Sequence, residues 1–179
     1  MRGARGFTLI ELLVVLVLLG VLTGLAVLGS GLARSPVREL NGEAERLALL
    51  MRVLLDEAVL DNREYGLRFE RNAYQVLRYE PRQARWEAQG RAPHELPEWI
   101  ELRIEVEEQQ LFLPPGARTV AKPAGKSLQP QLLILSSGEL TPFRLHMGGS
   151  GRDMPGLVLH SDGFAEPRVE PDKPGGRAG

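Results

Sequence analysis

The residue with the clearest chemical demand in this sequence is Glu11, a carboxylate that stands directly before a long apolar stretch. Residues 12–33 carry no charged side chain and are dominated by Leu and Val. A carboxylate at the depth of a bilayer costs roughly 2.5–3.5 kcal/mol, and somewhat less near the interface. If the stretch enters a membrane, Glu11 therefore needs a compensating partner, or it borders the membrane and snorkels toward water.

Residues that could support catalysis are scattered along the chain. His94, His146 and His160 are far apart, and no HExxH, GxSxG, phosphate-loop or dinucleotide-binding motif occurs. Residues 148–151, Gly-Gly-Ser-Gly, come nearest to a nucleophile elbow, but Arg152 occupies the position of the final Gly. We therefore predict no catalytic residue and interpret each His as a strand or loop residue.

Metal and cofactor sites find no support in the sequence either. The chain has no cysteine, which excludes disulfides, thiolate metal sites and cysteine nucleophiles. Asp153, Asp162 and Asp172 are dispersed and lack the compact oxygen cluster that calcium requires. The neighbouring Glu107 and Glu108 are interpreted as solvated, so we expect no metal and no cofactor.

The apolar stretch 12–33 is long enough for a helix to cross roughly 30 Å of hydrocarbon. Arg2 and Arg5 precede it, and the positive-inside rule places them in the cytoplasm, which leaves the rest of the chain in the bacterial periplasm. No cleavage site for a standard secretory signal follows the stretch. Small residues could let neighbouring helices approach or could simply add flexibility: Gly20, Thr23, Gly24, Gly29, Ser30 and Gly31.

A second helix is predicted at about 36–60. Ser35 and Pro36 suit a cap and a first turn, although a kink within one continuous helix fits equally well. From there apolar residues recur at spacings of three and four, with charged residues at other angles. The resulting buried stripe contains Leu40, Ala44, Leu47, Met51, Leu54 and Ala58.

After a turn at Asp61-Asn62 the pattern becomes alternating, which indicates strands. A hairpin is predicted around Arg71-Asn72, followed by strands at 85–88, 99–106, 132–136, 142–147, 157–161 and 165–169. The fold class is therefore α+β, with a long amino-terminal helix packed on antiparallel sheets or a sandwich. Residues 114–130 are predicted to form a long mobile loop, and 171–179 a flexible tail.

The segment 6–11, Gly-Phe-Thr-Leu-Ile-Glu, follows a short basic leader and resembles the amino-terminal signal of the type IV pilin family. The shared features are the Gly, the aromatic residue after it and the Glu five residues beyond the Gly. The resemblance implies that prepilin peptidase cuts between Gly6 and Phe7 and that the new Phe7 amine is methylated. It also implies that Glu11 pairs with the amine of an adjacent subunit during assembly.

The rest of the chain resembles the H-type minor pseudopilins of type II secretion. Residues 131–143, QLLILSSGELTPF, contain an apolar strand, a turn at Ser137-Gly138 and a return strand begun by Pro142. Residues 156–159 with Asp162-Gly163 are similar to the closing hairpin of that type. The lack of cysteines and the extra tail depart from the pattern without affecting the features used in assembly.

This resemblance implies a non-enzymatic subunit near the tip of a secretion pseudopilus. It predicts a leader at 1–6, a transmembrane helix at 7–33, a periplasmic domain at 34–170 and the tail at 171–179. The expected partners are other minor pseudopilins, the major pseudopilin, prepilin peptidase and inner-membrane lipid. Strand edges or the 114–130 loop are candidate contacts.

The sequence leaves two other functions open. A minor pilin of type IV pili that initiates assembly or binds DNA would carry a basic patch, whereas the chain has a net charge of −1 and its part beyond the apolar stretch is slightly acidic. We therefore expect no nucleic-acid partner. A signal-anchored periplasmic enzyme would keep Met1 uncleaved and would not depend on Glu11.

Overall fold

A computed structural model of the chain describes residues 9–31, 35–90, 92–115, 128–149, 154 and 156–172. The chain divides into two units, Met1–Ser35 and Pro36–Gly179, and each is considered by itself. The first unit contains one helix, α1, which extends over Leu9–Gly31. The second unit contains a further helix and the strands, and it is called the folded domain below.

Helix α1 contains 23 residues, and its one acidic residue, Glu11, lies in the first turn. All of its described side chains, at residues 9–24, are exposed to the surroundings of the isolated chain. Within the described residues, no helix combines the length and apolar character that a membrane span requires. The predicted transmembrane segment 7–33 begins and ends outside the described helix.

Helix α2 extends over Pro36–Asp61 and confirms the predicted amphipathic helix and its stripe. All six predicted stripe residues are buried, and Ala48 joins them. The helix ends in a Schellman-type turn, in which the Arg63 N–H donates to the Ala58 carbonyl over 3.1 Å and Asn62 adopts a positive φ of 50°. Helix α2 packs on strands of both sheets described next.

The strands of the folded domain form two antiparallel sheets. In chain order they are β1 (Tyr65–Glu70), β2 (Ala73–Glu80), β3 (Arg85–Ala88), β4 (His94–Glu95), β5 (Glu101–Val106), β6 (Gln109–Leu111), β7 (Leu132–Ile134), β8 (Phe143–Gly148), β9 (Gly156–Ser161) and β10 (Arg168–Pro171). The first sheet has the order β3-β2-β1-β7, with β4 also paired to β2, and the second has the order β10-β9-β8-β5-β6. The predicted α+β class is confirmed.

The core lies where α2 covers the inner faces of the sheets. Its largest fully buried side chains come from α2 and from strands of both sheets, and they include Met51, Phe69, Ile104, Ile134 and Leu145. Along β5 and β8 buried residues alternate with more exposed ones, as expected when one face of a sheet is covered. The folded domain therefore obtains its core from packing alone, without disulfides.

Several predicted strand boundaries are corrected by the structure. The strand expected at 165–169 is found at Arg168–Pro171, because residues 162–167 form a turn. The tail prediction is wrong for its first two residues, since Pro171 belongs to β10 and the Asp172 N–H donates to the Gly156 carbonyl over 2.9 Å. Residues 173–179, and residues 116–127 of the predicted loop, lie outside the described residues.

The predicted return at Ser137-Gly138 exists but joins two different sheets. Gly138 has a positive φ of 86°, and its N–H donates to the Leu135 carbonyl over 3.0 Å. Leu140 then forms a single bridge back to Ile134, which belongs to the first sheet, before β8 enters the second sheet. The segment therefore carries the chain from one sheet to the other.

Candidate functional site

Of the three residues predicted for processing and assembly, the described residues include only Glu11. Glu11 is the third residue of α1 and its side chain is exposed. A carboxylate in the first turn of a helix is favoured, since the unsatisfied N–H groups there carry partial positive charge. Gly6 and Phe7, the predicted processing residues, lie outside the described residues.

One face of α1 is open at two glycines. A Cβ added to Gly20 or Gly24 would meet no atom within 4 Å. These two glycines are four residues apart and lie on one face of the helix. Between them, the Thr23 hydroxyl donates to the Leu19 carbonyl over 2.7 Å and so satisfies itself within α1. This face is therefore smooth enough for close approach by another helix.

In the folded domain, His94 is part of a clamp on the amino-terminal half of α2. Its Nε2 lies 2.8 Å from Oε2 of Glu43, and its ring stacks obliquely on Tyr74 with 4.9 Å between centroids. One helical turn earlier, Glu39 accepts a hydrogen bond of 3.1 Å from Trp99 Nε1. Two carboxylates at positions i and i+4 thus fasten α2 to the first sheet and to the segment before β5.

The other two histidines lie on the second sheet and also meet carboxylates. His146 Nδ1 is 3.1 Å from Oδ2 of Asp172, and its Nε2 is 3.8 Å from Oε1 of Glu105. His160 Nε2 is 3.4 Å from Oε1 of Glu170, although the geometry there does not make a hydrogen bond. His94 therefore lies apart from the other two, whereas His146 and His160 share one face of the second sheet on the neighbouring strands β8 and β9. Each of the three connects neighbouring elements.

The described part of the chain contains no group of three or more His, Asp or Glu residues suited to hold a metal ion. Ser150 and Arg152, the centre of the nearest nucleophile-like segment, lie outside the described residues. Glu107 and Glu108 are exposed, as predicted, but both adopt positive φ values, of 50° and 66°. They therefore form the two-residue turn between β5 and β6, where Asn-Gly is the usual sequence.

Three titratable groups are perturbed by their surroundings in the folded domain. Burial raises the pKa of Tyr65 at the start of β1. Burial raises the pKa of Tyr74 to about 12, with a smaller opposing effect from Arg46 and a smaller raising effect from Glu43. The pKa of the exposed Asp162 is lowered because its carboxylate accepts backbone N–H bonds from Ala165 and Phe164. All three shifts follow from burial or from structural contacts.

The contacts of Glu39 and Glu43 were not predicted from the sequence. Helical periodicity placed both residues outside the buried stripe, which suggested solvent-facing charges. Their partners, Trp99 and His94, are more than 50 positions further along the chain, with separations of 60 and 51 residues. No local signal in the sequence could have paired them.

Models of known protein families match two parts of the chain. The model of the prokaryotic N-terminal methylation motif matches residues 1–27, and the model of the type II transport protein GspH family matches residues 43–163. The first match covers the leader and most of α1. The second covers most of the folded domain.

Two curated relatives align over nearly their full lengths. Type II secretion system protein H of Pseudomonas aeruginosa is 59% identical over 170 residues, which cover 95% of this chain and 98% of that protein. The protein of the same name from Aeromonas hydrophila is 30% identical over 173 residues, with 94% of each chain covered.

Two solved structures share the fold. The crystal structure of the minor pseudopilin EpsH from the type II secretion system of Vibrio cholerae has a TM-score of 0.59 at 21% identity, covering 75% of this chain and 96% of that one. The solution structure of Escherichia coli GspH has a TM-score of 0.53 at 20% identity, covering 76% and 88%. At these identities the likeness supports the arrangement of helix and sheets.

Proposed function

Because this chain belongs to the type II transport protein GspH family, we propose that it acts as a minor pseudopilin of a type II secretion system. The observation that carries the proposal is the 59% identity to a type II secretion protein H over 95% of the chain. The fold agrees, since the EpsH minor pseudopilin matches this chain with a TM-score of 0.59. The family is one of structural subunits, so the work of the chain is binding.

The first part of the proposal concerns the anchor. Residues 7–33 would span the inner membrane, with Arg2 and Arg5 on the cytoplasmic side and the folded domain in the periplasm. The support is the apolar stretch 12–33, which continues past the residues whose side chains are described. The match of the methylation motif to residues 1–27 agrees with an anchor of this kind.

The second part concerns processing. We expect prepilin peptidase to remove residues 1–6 by cutting between Gly6 and Phe7, after which the Phe7 amine is methylated. The motif match supports this, because it includes the leader and the head of the apolar stretch. Methylation leaves the amine able to carry a positive charge at neutral pH, and that charge is what Glu11 requires.

Glu11 would then set the register of the subunit among its neighbours. Leaving its carboxylate uncompensated at bilayer depth would cost roughly 2.5–3.5 kcal/mol. The amino terminus of an adjacent processed subunit removes this cost by supplying the opposite charge. Since Glu11 is exposed in the first turn of α1, the carboxylate is accessible to another chain. The pairing therefore favours one axial position of the two helices.

The partners follow from the same assembly. We propose that α1 packs against the membrane helices of other pseudopilins and that the folded domain contacts minor pseudopilins and the major one near the tip. Close approach of helices is supported by the open face at Gly20 and Gly24. Nucleic acid is not an expected partner, because the chain carries a net charge of −1.

The experiment uses two substitutions in the full chain, followed by mass spectrometry and by a secretion assay. Gly6→Ala should leave the leader attached, whereas Gly3→Ala, a matched change within the leader, should allow normal cleavage. Glu11→Val should permit cleavage but abolish most secretion, whereas Ile10→Val should have little effect. Normal secretion with Gly6→Ala and Glu11→Val would contradict the proposal.

A further inference from the structure

Phe164 projects from the turn between β9 and β10, and 83% of its surface is exposed. The turn, residues 162–167, is stabilised by hydrogen bonds of two side chains, those of Asp162 and of Ser161 directly before it. The Asp162 carboxylate accepts the N–H groups of Phe164 at 3.1 Å and Ala165 at 2.9 Å. The Ser161 hydroxyl accepts from the Gly163 N–H at 3.1 Å and donates to the Ala165 carbonyl at 2.7 Å. The aromatic ring is therefore presented on a closely tied backbone.

A second set of contacts fixes this turn to the rest of the domain. Gly163 has a positive φ of 100°, and an added Cβ there would come within 2.8 Å of the Leu140 carbonyl oxygen. The Leu140 N–H in turn donates to the Gly163 carbonyl over 2.9 Å. On the other side, Arg52 of α2 contacts Glu166 at 3.3 Å and donates to the Pro167 carbonyl at 3.5 Å. A side chain whose backbone is already ordered loses less conformational entropy when it binds a partner.

Apolar side chains at the end of α2 lie on the same part of the domain. Val59 is exposed, and its Cγ2 lies 3.5 Å from the position of a Cβ on Gly138, in the turn that precedes Leu140. Leu60, next to it, is 82% exposed. Leu140 thus lies between the Gly138 turn and Gly163. We call Val59, Leu60 and Phe164 the Phe164 surface.

The surroundings of the Phe164 surface are acidic. Exposed carboxylates lie on the last turns of α2, beside Gly138 and within the β9–β10 turn: Asp56, Asp61, Glu139, Asp162 and Glu166. Arg52 of α2 is paired with Glu166, and the exposed Arg168 at the start of β10 is an electrostatic neighbour of Asp162. The carboxylates nevertheless outnumber the basic residues around this surface. The carboxyl end of α2 adds partial negative charge. A partner that covers the apolar side chains must therefore bring positive charge at its rim.

We propose that the Phe164 surface is the docking surface by which the folded domain binds a neighbouring pseudopilin, and that the partner offers an apolar socket rimmed by Arg or Lys. This inference rests on the proposed function for the identity of the partner. The residue types expected on the partner follow from the apolar and acidic residues of this surface. Rigid, exposed aromatic residues are the usual energetic centres of such interfaces. Charged rims add attraction and selectivity.

The test is co-purification of the full chain, carrying a tag after Gly179, from cells that co-express the other pseudopilins of the same secretion system. Phe164→Ala should reduce the captured pseudopilin by about tenfold or more. Phe112→Ala is the matched control, because Phe112 is 85% exposed and lies beyond β6. Asp56→Lys should weaken capture, whereas Glu45→Lys, on the same helix but away from the surface, should not.

The outcomes separate the two proposals. If the unchanged chain captures no pseudopilin, the proposed function fails. If it captures pseudopilins and Phe164→Ala captures as much, or Phe112→Ala loses as much as Phe164→Ala, the docking surface is overturned while the proposed function stands. Unfolding of each variant in urea checks the fold, and the midpoint of Phe164→Ala should be unchanged since the side chain is exposed.

Discussion

Helices α1 and α2 contain 23 and 26 residues, and both are rich in Leu and Val, but their side chains meet different surroundings. Along α2 a stripe of seven residues is buried against the sheets, and charged residues occupy much of the remaining surface. Along α1 the apolar residues surround the helix on all sides, and those described are exposed. The second helix therefore finds an apolar environment within the folded domain, whereas the described side chains of the first remain exposed.

Under the proposed function, this difference would fit a first helix in the membrane and a folded domain in the aqueous periplasm. A helix that is apolar all round needs lipid or other helices, whereas a helix with one apolar stripe needs a single covered face. The same residue type should therefore have different energetic roles in the two helices. Substitutions of the same residue type in α1 and in α2 test whether these roles differ.

The largest expected effect on the folded domain comes from Leu47, which is fully buried at 0% exposure. Leu47→Ala should lower its free energy of unfolding by about 2–5 kcal/mol, because it removes apolar contacts and leaves a cavity. Leu16→Ala in α1 should leave that free energy unchanged, since Leu16 is 68% exposed. Urea unfolding of the full chain in detergent, followed by the fluorescence of Trp86 and Trp99, measures both. Equal destabilisation by the two substitutions would contradict the comparison.

A smaller effect is expected where the two helices each carry a glutamate. Glu43→Gln should lower the free energy of unfolding by about 1 kcal/mol, because the contact to His94 loses its charged acceptor. Glu11→Gln should leave unfolding unchanged and impair assembly into the secretion system. Urea unfolding and co-purification with other pseudopilins distinguish these effects. If Glu11→Gln changed the unfolding midpoint, the carboxylate would have a role inside the chain.

The smallest effect near neutral pH concerns Tyr74, which packs beside α2. Burial raises its pKa to about 12, above the value of 10.0 for an unperturbed tyrosine. The folded state therefore favours the neutral phenol, and this stability is fully present below pH 10 and is lost as the pH rises toward 12. Absorbance of tyrosinate in the unchanged chain and in Tyr74→Phe measures this titration. A Tyr74 that ionises near pH 10 would show that the site is more open than the structure indicates.

The helix, the stripe and most strands could be predicted because the sequence repeats their periods. The spacing of apolar residues predicted Leu40 to Ala58 as one face of α2, and alternation predicted β1, β2, β5, β8 and β9. Along β5 and β8 burial alternates as this period requires, whereas in β9 the three consecutive residues 157–159 are all buried. Local patterns suffice where an element is long and one of its faces is covered.

Three features of the sheets could not be predicted in this way. Strands β4 and β6 contain two and three residues, too few to display alternation. The β5–β6 turn uses Glu107-Glu108 at positive φ, where the usual turn signal is Asn-Gly. Pro171 marked a tail by composition, yet the outer edge of a sheet tolerates Pro because no partner strand needs its N–H.

The candidate functional residues also fall into a part that the sequence predicts and a part that it does not. The motif at Gly6, Phe7 and Glu11 is contiguous, so its resemblance to a known signal was visible without a structure. The Phe164 surface joins α2 to turns more than a hundred residues away, as the Arg52 contact to Pro167 illustrates. Tertiary structure decides which exposed aromatic side chain is held rigidly and which charges surround it.

Gln131 has a consequence for sequence variation within the first sheet. Its side-chain amide accepts the Phe69 N–H at 2.8 Å and donates to the Phe69 carbonyl at 3.2 Å. The amide thus imitates a strand residue and lengthens the pairing of β7 with β1 by one step. Glutamate, although nearly the same size, would lose the donor and set a carboxylate against a carbonyl oxygen. A change of one atom type at position 131 would therefore loosen this sheet edge, and size alone is a poor guide to which replacements are tolerated there.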